Sequence, residues 1–268
     1  MQEWEMKPEE IHEKIKKMTW SFSRVNSISS CLYSFVLHYV FGYEDAHNCW
    51  DQFGTLCHKV IEMILKGELD IFDAPQYYID HYAEYVTCSF PSNKYVDLGE
   101  KTYQQGLDYF NNLSFDFDRY EVLGIEQELS FKVGTHPFQG YADAIYRDKE
   151  TGEIILRDHK TASFKYLKDG SISKTNAKHF DEFKKQEYLY CIPLIEKYGK
   201  VDKLTWNMIK DQKIIEIPFN EAEYREAQEW AINNIHKLEE ETLWLPDTSE
   251  TYYCTNICGQ RHDCFYHQ

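Results

Sequence analysis

The apolar residues of this chain change their spacing near Glu121, and that change restricts the fold more than any other feature. Upstream the period is helical: Phe53, Leu56, Val60, Ile61 and Ile64 share one face of a helix expected over about Ala46–Leu65. Helices are also expected over Pro8–Met18, from the cap candidates Ser21 and Ser23 through Tyr39, over Ala74–Cys88 and over Tyr95–Leu113. Downstream, Leu123, Ile125, Leu129, Phe131 and Val133 stand mostly two apart, as in a half-buried strand. Strands over Phe138–Arg147 and Glu153–Lys160 follow, joined by DKETGE, whose Gly152 suits a tight antiparallel turn. A helix over His179–Tyr198, a hairpin of Leu204–Ile209 and Lys213–Phe219 about Asp211–Gln212, and a helix over Glu221–Glu241 capped by Asn220 complete the pattern. The tail after Pro246 has little periodicity. The class expected is α/β, as one domain: a mainly helical part over 1–118, an α/β core over 119–219, and a C-terminal helix with a cysteine-bearing tail over 220–268.

Composition excludes several roles. The chain of 268 residues is 43% hydrophobic, enough to bury a sizeable core, yet no run of roughly 18 apolar residues occurs to span a membrane. The opening MQEWEMKPEE lacks the basic start and apolar run of a signal peptide, so a cytoplasmic, membrane-free protein is expected. In that setting, metal binding or reduced core thiols explain the 8 cysteines better than disulfides do. A net charge of −16 argues against a surface that attracts nucleic acid everywhere. The balance reverses locally between Arg157 and Lys185, where lysines at 160, 165, 168, 174, 178, 184 and 185 outnumber the carboxylates, so a confined basic groove is compatible.

Two neighbouring strands carry the candidate chemistry. Asp143 lies in GYADAIYRD, and Asp158 and Lys160 lie in ILRDHKTA on the next strand. Alternation along a strand points Asp158 and Lys160 to one side and the His159 ring to the other, leaving the His159 backbone carbonyl facing the carboxylates. Hard Mg²⁺ or Mn²⁺ ions prefer such oxygens, and a lysine beside them can orient water or stabilise developing negative charge. Asp-x-Lys alone is a weak signal, and an ordinary cross-strand salt bridge would look the same. Gly54–His58 upstream, with His58 on an amphipathic helix, and Gln186 and Tyr190 one helical turn apart downstream strengthen it.

In that order, Ser21 and Ser23 before Cys31, Gly54–His58, Gly140–Asp143, Asp158–Thr161 and Gln186–Tyr190 resemble the motifs of the RecB-type branch of the PD-(D/E)xK nuclease superfamily, across most of the chain. The resemblance implies a restriction-endonuclease-like core: a mixed central sheet flanked by helices. It implies His58, Asp143, Asp158 and the His159 carbonyl as metal ligands, Lys160 as the catalytic lysine, and Gln186 and Tyr190 as groups that position the lysine or the DNA. Either Glu126 or Glu128 matches the acidic position on the preceding strand. The activity implied is DNA cleavage, chiefly exonuclease action on single strands or ends, in recombination, repair, phage DNA metabolism or CRISPR spacer acquisition. A nuclease-derived DNA-binding scaffold without turnover is the alternative.

Cys254, Cys258 and Cys264 crowd the C-terminal tail, and thiolates at that density suit an iron–sulfur centre or zinc. One cysteine near the start, Cys31, and three at the end resemble the arrangement by which the CRISPR-associated RecB-like nucleases and the AddB helicase-nuclease hold a [4Fe–4S] cluster. Three residues separate Cys254 from Cys258 where that family usually has two, and a structural Zn²⁺ is the alternative occupant. Cys49, Cys57, Cys88 and Cys191 sit in apolar surroundings and are expected to be core thiols.

Overall fold

Ile154, Ile155 and Leu156 are all buried, and a strand covered on both faces belongs inside a sheet. In the computed structural model, which describes residues 6–266, this strand is the centre of five in the order β1-β2-β3-β4-β5. They are β1 (Tyr120–Val133), β2 (His136–Asp148), β3 (Ile154–Lys160), β4 (Lys203–Met208) and β5 (Lys213–Pro218). β3 pairs antiparallel with β2 and parallel with β4, so the sheet is mixed. A parallel neighbour requires a crossover, which α7 (Lys174–Tyr198) supplies. At the β2–β3 turn the Asp148 carboxylate accepts both Arg119 N–H groups at 2.9 and 2.7 Å and the backbone N–H groups of Glu150 and Thr151, while Gly152 takes the left-handed φ of 71° that the turn needs.

The remaining helices are α1 (Pro8–Lys16), α2 (Phe22–Ser30), α3 (Leu32–Phe35), α4 (Cys49–Leu65), α5 (Ala74–Tyr85), α6 (Leu98–Asn112), α8 (Glu221–Glu240) and α9 (Thr251–Asn256). The chain divides into two compact units, one drawn from Met1–Asn48, Ser130–Gly140 and Arg225–Gln268, the other from Cys49–Leu129 and Tyr141–Tyr224. In the second unit, α4, α5 and α6 bury Phe53, Leu56, Val60, Tyr78, Tyr109 and Phe110 together. In the first, Ile11 and Ile15 are fully buried and Trp20 stacks on Phe35 at 6.2 Å.

Beyond shifts of up to three residues at helix ends, the structure departs from the expected helices as follows. The helix expected from Ser21 to Tyr39 breaks at Cys31, whose extended backbone (φ −161°, ψ 107°) ends α2 and lets its Sγ accept the Ser34 N–H at the start of α3; a π-helical turn over Val36–Val40 follows. α7 begins five residues earlier than the spacing suggests, at Lys174. The aperiodic tail forms the short helix α9, too brief for a 3.6-residue period to register. The caps agree with expectation: Ser21 accepts the Arg24 N–H at 3.3 Å, and Asn220 accepts those of Ala222 and Glu223 at 2.9 and 3.2 Å.

Candidate active site and thiol cluster

Asp158 and Lys160 leave β3 on the same side, and the Lys160 ammonium lies 2.9 Å from Asp158 Oδ2. That contact is an ion pair rather than a well-directed hydrogen bond, since the same oxygen is buried without a hydrogen-bond donor. Lys160 donates to Gln186 Oε1 at 2.9 Å and rests 4.7 Å above the Phe183 ring; one turn along α7, the Gln186 amide stands 3.5 Å from the Tyr190 hydroxyl. Burial disfavours the ammonium, but Asp158 and Asp143 outweigh it and raise Lys160, so the side chain is held as a cation.

His58 reaches the strands from α4. Its Nε2 donates to the His159 carbonyl at 2.8 Å, which turns Nδ1 toward Asp143 Oδ2 at 3.6 Å and Glu126 Oε1 at 3.8 Å. The His159 N–H donates to Asp143 Oδ2 at 2.7 Å. The main chain of one residue, through its N–H and its carbonyl, thereby holds both an acid and the imidazole. His58, Glu126 and Asp143 offer ligand atoms that all lie within 4.8 Å of one another. Two carboxylate oxygens and an imidazole nitrogen fit a divalent cation. The electrostatics point the same way. Burial and then the Asp158 charge push the Asp143 carboxyl up, while for His58 the opposing effect of burial is outweighed by the Glu126 hydrogen bond and by the charges of Asp143, Asp158 and Glu126, which raise it. The Asp143 carboxyl and the His58 imidazole both retain protons more readily than usual, as expected of a pocket short of positive charge.

Of the two acidic candidates on β1, the structure brings in Glu126 and leaves Glu128 exposed. Glu126 has a φ of 44°, a left-handed conformation rare outside glycine, and this break in the strand separates two side chains that regular alternation would place on one face. The His159 ring lies on the far side of β3, buried, with Nδ1 2.9 Å from the Asn207 amide, which also donates to the Tyr109 hydroxyl at 2.6 Å. Burial, followed by the cations around it, lowers its pKa well below the usual range, so the ring is neutral. An open groove lined by Gly54, Thr55, His58, Lys59, Tyr85 and Glu126 leads to the cluster. Gly54 is the close-approach point of α4, where an added Cβ would lie 3.4 Å from Thr161 Oγ1.

One residue escaped the sequence reading. Glu187, next to Gln186, is 1% exposed, and neither carboxylate oxygen has a hydrogen-bond partner. Its signal was its position: Phe183, Glu187 and Cys191 are spaced by four, so the glutamate occupies the buried stripe of α7.

The four tail-associated cysteines gather in the first unit. Cys31 Sγ accepts the Asp247 N–H at 3.5 Å, Cys254 Sγ lies 3.7 Å from the Asp247 carbonyl, and Cys258 Sγ lies 3.9 Å from Ser34 Oγ. Burial and then Cys258, Cys31 and Cys264 raise the Cys254 thiol, and burial, with Cys31 and Cys264 contributing, raises Cys258, so all four share one electrostatic neighbourhood. Cys49, Cys57 and Cys191 are buried and Cys88 is half-buried.

Among the described residues, no helix is long and apolar enough to cross a membrane. No curated protein matches the chain. A crystal structure of a candidate exonuclease from Eubacterium rectale is similar in fold, with a TM-score of 0.51 at 12% identity, covering 98% of this chain and 93% of that one. The model of the PD-(D/E)XK nuclease superfamily matches residues 19–265. With that match spanning nearly its whole length, and with a mixed five-stranded sheet carrying the acidic residues and the lysine, the chain belongs to the PD-(D/E)XK nuclease superfamily.

Proposed function

We propose that this chain is a RecB-like, metal-dependent DNA exonuclease acting on single strands or DNA ends, and that it carries a [4Fe–4S] cluster. The observation that carries the nuclease reading is the convergence of His58, Glu126 and Asp143 within ligand distance of one another, beside a Lys160 pinned between Asp158 and Gln186. Those three residues, with Asp158 and the His159 carbonyl, would hold Mg²⁺ or Mn²⁺, which polarises the scissile phosphate and activates water. Lys160 keeps its proton and presents a fixed positive charge to the phosphoryl oxygen on which negative charge builds. Gln186 fixes the direction of that ammonium, and Tyr190 holds the Gln186 amide in turn. The exonuclease mode and the preference for single strands or ends rest on the motif resemblance, and the fold neighbour, described as a candidate exonuclease, is in keeping with the first alone.

Cys31, Cys254, Cys258 and Cys264 would hold the cluster. What supports the cluster is the motif resemblance together with the shared electrostatic neighbourhood of the four thiols, and a structural Zn²⁺ is the alternative occupant.

The test is digestion of end-labelled single-stranded and duplex oligonucleotides with Mn²⁺ or Mg²⁺, comparing the native protein with Asp158→Ala and Lys160→Ala. Metal-dependent digestion that both substitutions abolish is expected. Activity surviving both would remove the site assignment, and an inert native protein under every divalent ion would favour a binding scaffold.

A further inference from the structure

Directly after β3 the chain forms an ordered finger. Tyr166 and Ile172 bridge antiparallel, Leu167 N–H donates to Ser171 O at 2.7 Å, Ser173 N–H to Lys165 O at 2.8 Å, and Gly170 (φ 85°) closes the tip with its N–H on Leu167 O at 3.0 Å. One carboxylate clamps its root: Asp211, in the β4–β5 connection, accepts Ser163 O–H at 2.6 Å, Phe164 N–H at 2.9 Å and Tyr166 O–H at 2.8 Å. Lys213 Nζ sits 4.0 Å above the Tyr166 ring, and Asn176 Oδ1 of α7 accepts the Lys165 N–H at 3.0 Å. Phe164 is buried and stacks at 5.5 Å on Phe183, the same ring that lies beneath the Lys160 ammonium. A single aromatic ring therefore separates the root of the finger from the candidate catalytic lysine.

The finger exposes Lys165, Lys168 and Leu167, the last 52% exposed, and the first turns of α7 expose Lys174 and Lys178 four residues apart. Among the described residues none of these four lysines is in a salt bridge, unlike Lys184 and Lys185 farther along α7, which pair with Glu223 and Asp181. The acidic residue of the tip, Asp169, is engaged by the Ser171 N–H and O–H at 2.9 and 2.6 Å. A merely solvated lysine loop needs no three-donor anchor and no fixed hairpin. In a chain of net charge −16, unpaired amines rigidly held beside the cleavage site mark where a polyanion can approach.

We propose that the 163–173 finger and the first two turns of α7 grip the phosphate backbone of the DNA strand delivered to the site, with Asp211 as the positioning residue that fixes the finger. This rests on the nuclease reading, and its test is separable from that reading. Binding of a fluorescein-labelled oligodeoxythymidylate is measured by anisotropy in chelator, without cleavage, over a series of salt concentrations. For a single strand, every phosphate that a removed lysine leaves unneutralised flattens the slope of log K against log salt by about 0.7. Lys165→Ala/Lys168→Ala is expected to flatten it by roughly 1.4 and to weaken binding, as is Lys174→Ala/Lys178→Ala. Asp211→Asn is expected to weaken DNA binding and to flatten the salt slope in the same chelator assay, a flattening that a merely structural role would not produce. Wild-type slopes in both lysine pairs would overturn the proposal, even in a fully active nuclease. Lysine-dependent binding by a protein that cleaves nothing would uphold the grip and sink the nuclease reading instead.

Discussion

Replacing Glu187 by glutamine should make the protein less sensitive to alkali, and the size of the effect follows from burial. The carboxyl is 1% exposed with both oxygens unpartnered. Burial first, then the Asp158 charge, raises its pKa well above the ordinary carboxylate range, against a smaller opposing effect of Lys160. The folded chain thus keeps a proton that the unfolded chain gives up near pH ~4.3. With the folded pKa raised, the side chain's contribution to stability is fully present below that pH and is lost as pH rises toward the folded value. For as long as the folded carboxyl stays protonated, the loss is about 1.4 kcal/mol per pH unit. Glutamine has nearly the same shape and no proton to keep. Its own unpaired amide adds a roughly pH-independent cost of about 1–3 kcal/mol, which shifts the comparison without tilting it. Urea unfolding of both proteins at pH 5, 6 and 7 in chelator should therefore show the native protein losing about 1.4 kcal/mol per unit relative to Glu187→Gln over the lower interval. Parallel stability curves would mean that Glu187 is ionised in the folded protein, refuting the account.

Two further expectations follow from packing and from the thiols. An added Cβ at Gly106 would overlap the Tyr78 hydroxyl and approach Phe53 Cε2 to 2.8 Å within the α4–α6 core, so Gly106→Ala should destabilise by about 1–3 kcal/mol in chemical denaturation; an unchanged midpoint would show that the core is looser than described. Anaerobically purified native protein should be brown, with absorbance near ~400 nm. Cys31→Ala should bleach it and lower the thermal midpoint, whereas Cys88→Ala, outside the thiol group, should do neither; equal effects of the two would remove Cys31 from the ligand set.

What the sequence revealed of the site was whatever strand alternation controls. Asp158 and Lys160 are two apart on a strand, so their convergence was readable, as was the outward turn of the His159 ring. Glu126 and Glu128 are also two apart, and for them alternation is silent, because the choice lies in the left-handed backbone at Glu126, which no residue type announces. The break at Cys31 was hidden for a related reason: the serine-rich α2 and the aromatic α3 have compatible helical periods, and only the extended backbone between them puts the thiol where Asp247 meets it. The two compact units are each assembled from separated stretches of chain, so no shift in composition marks their edges. Glu187 was legible in principle, as a charge in an apolar stripe.

The main chain of His159, with its N–H on Asp143 and its carbonyl on His58, has an evolutionary corollary. The scaffold that aligns an acid with an imidazole is written in main-chain atoms, which every amino acid except proline supplies in full. Drift at position 159 can therefore proceed without separating Asp143 from His58, provided the newcomer still fills the space beside Asn207 and Tyr109. A mutational scan should accept residues at 159 that match the buried ring in size and keep the Asn207 contact, whereas proline, which lacks the N–H that Asp143 accepts, should fail.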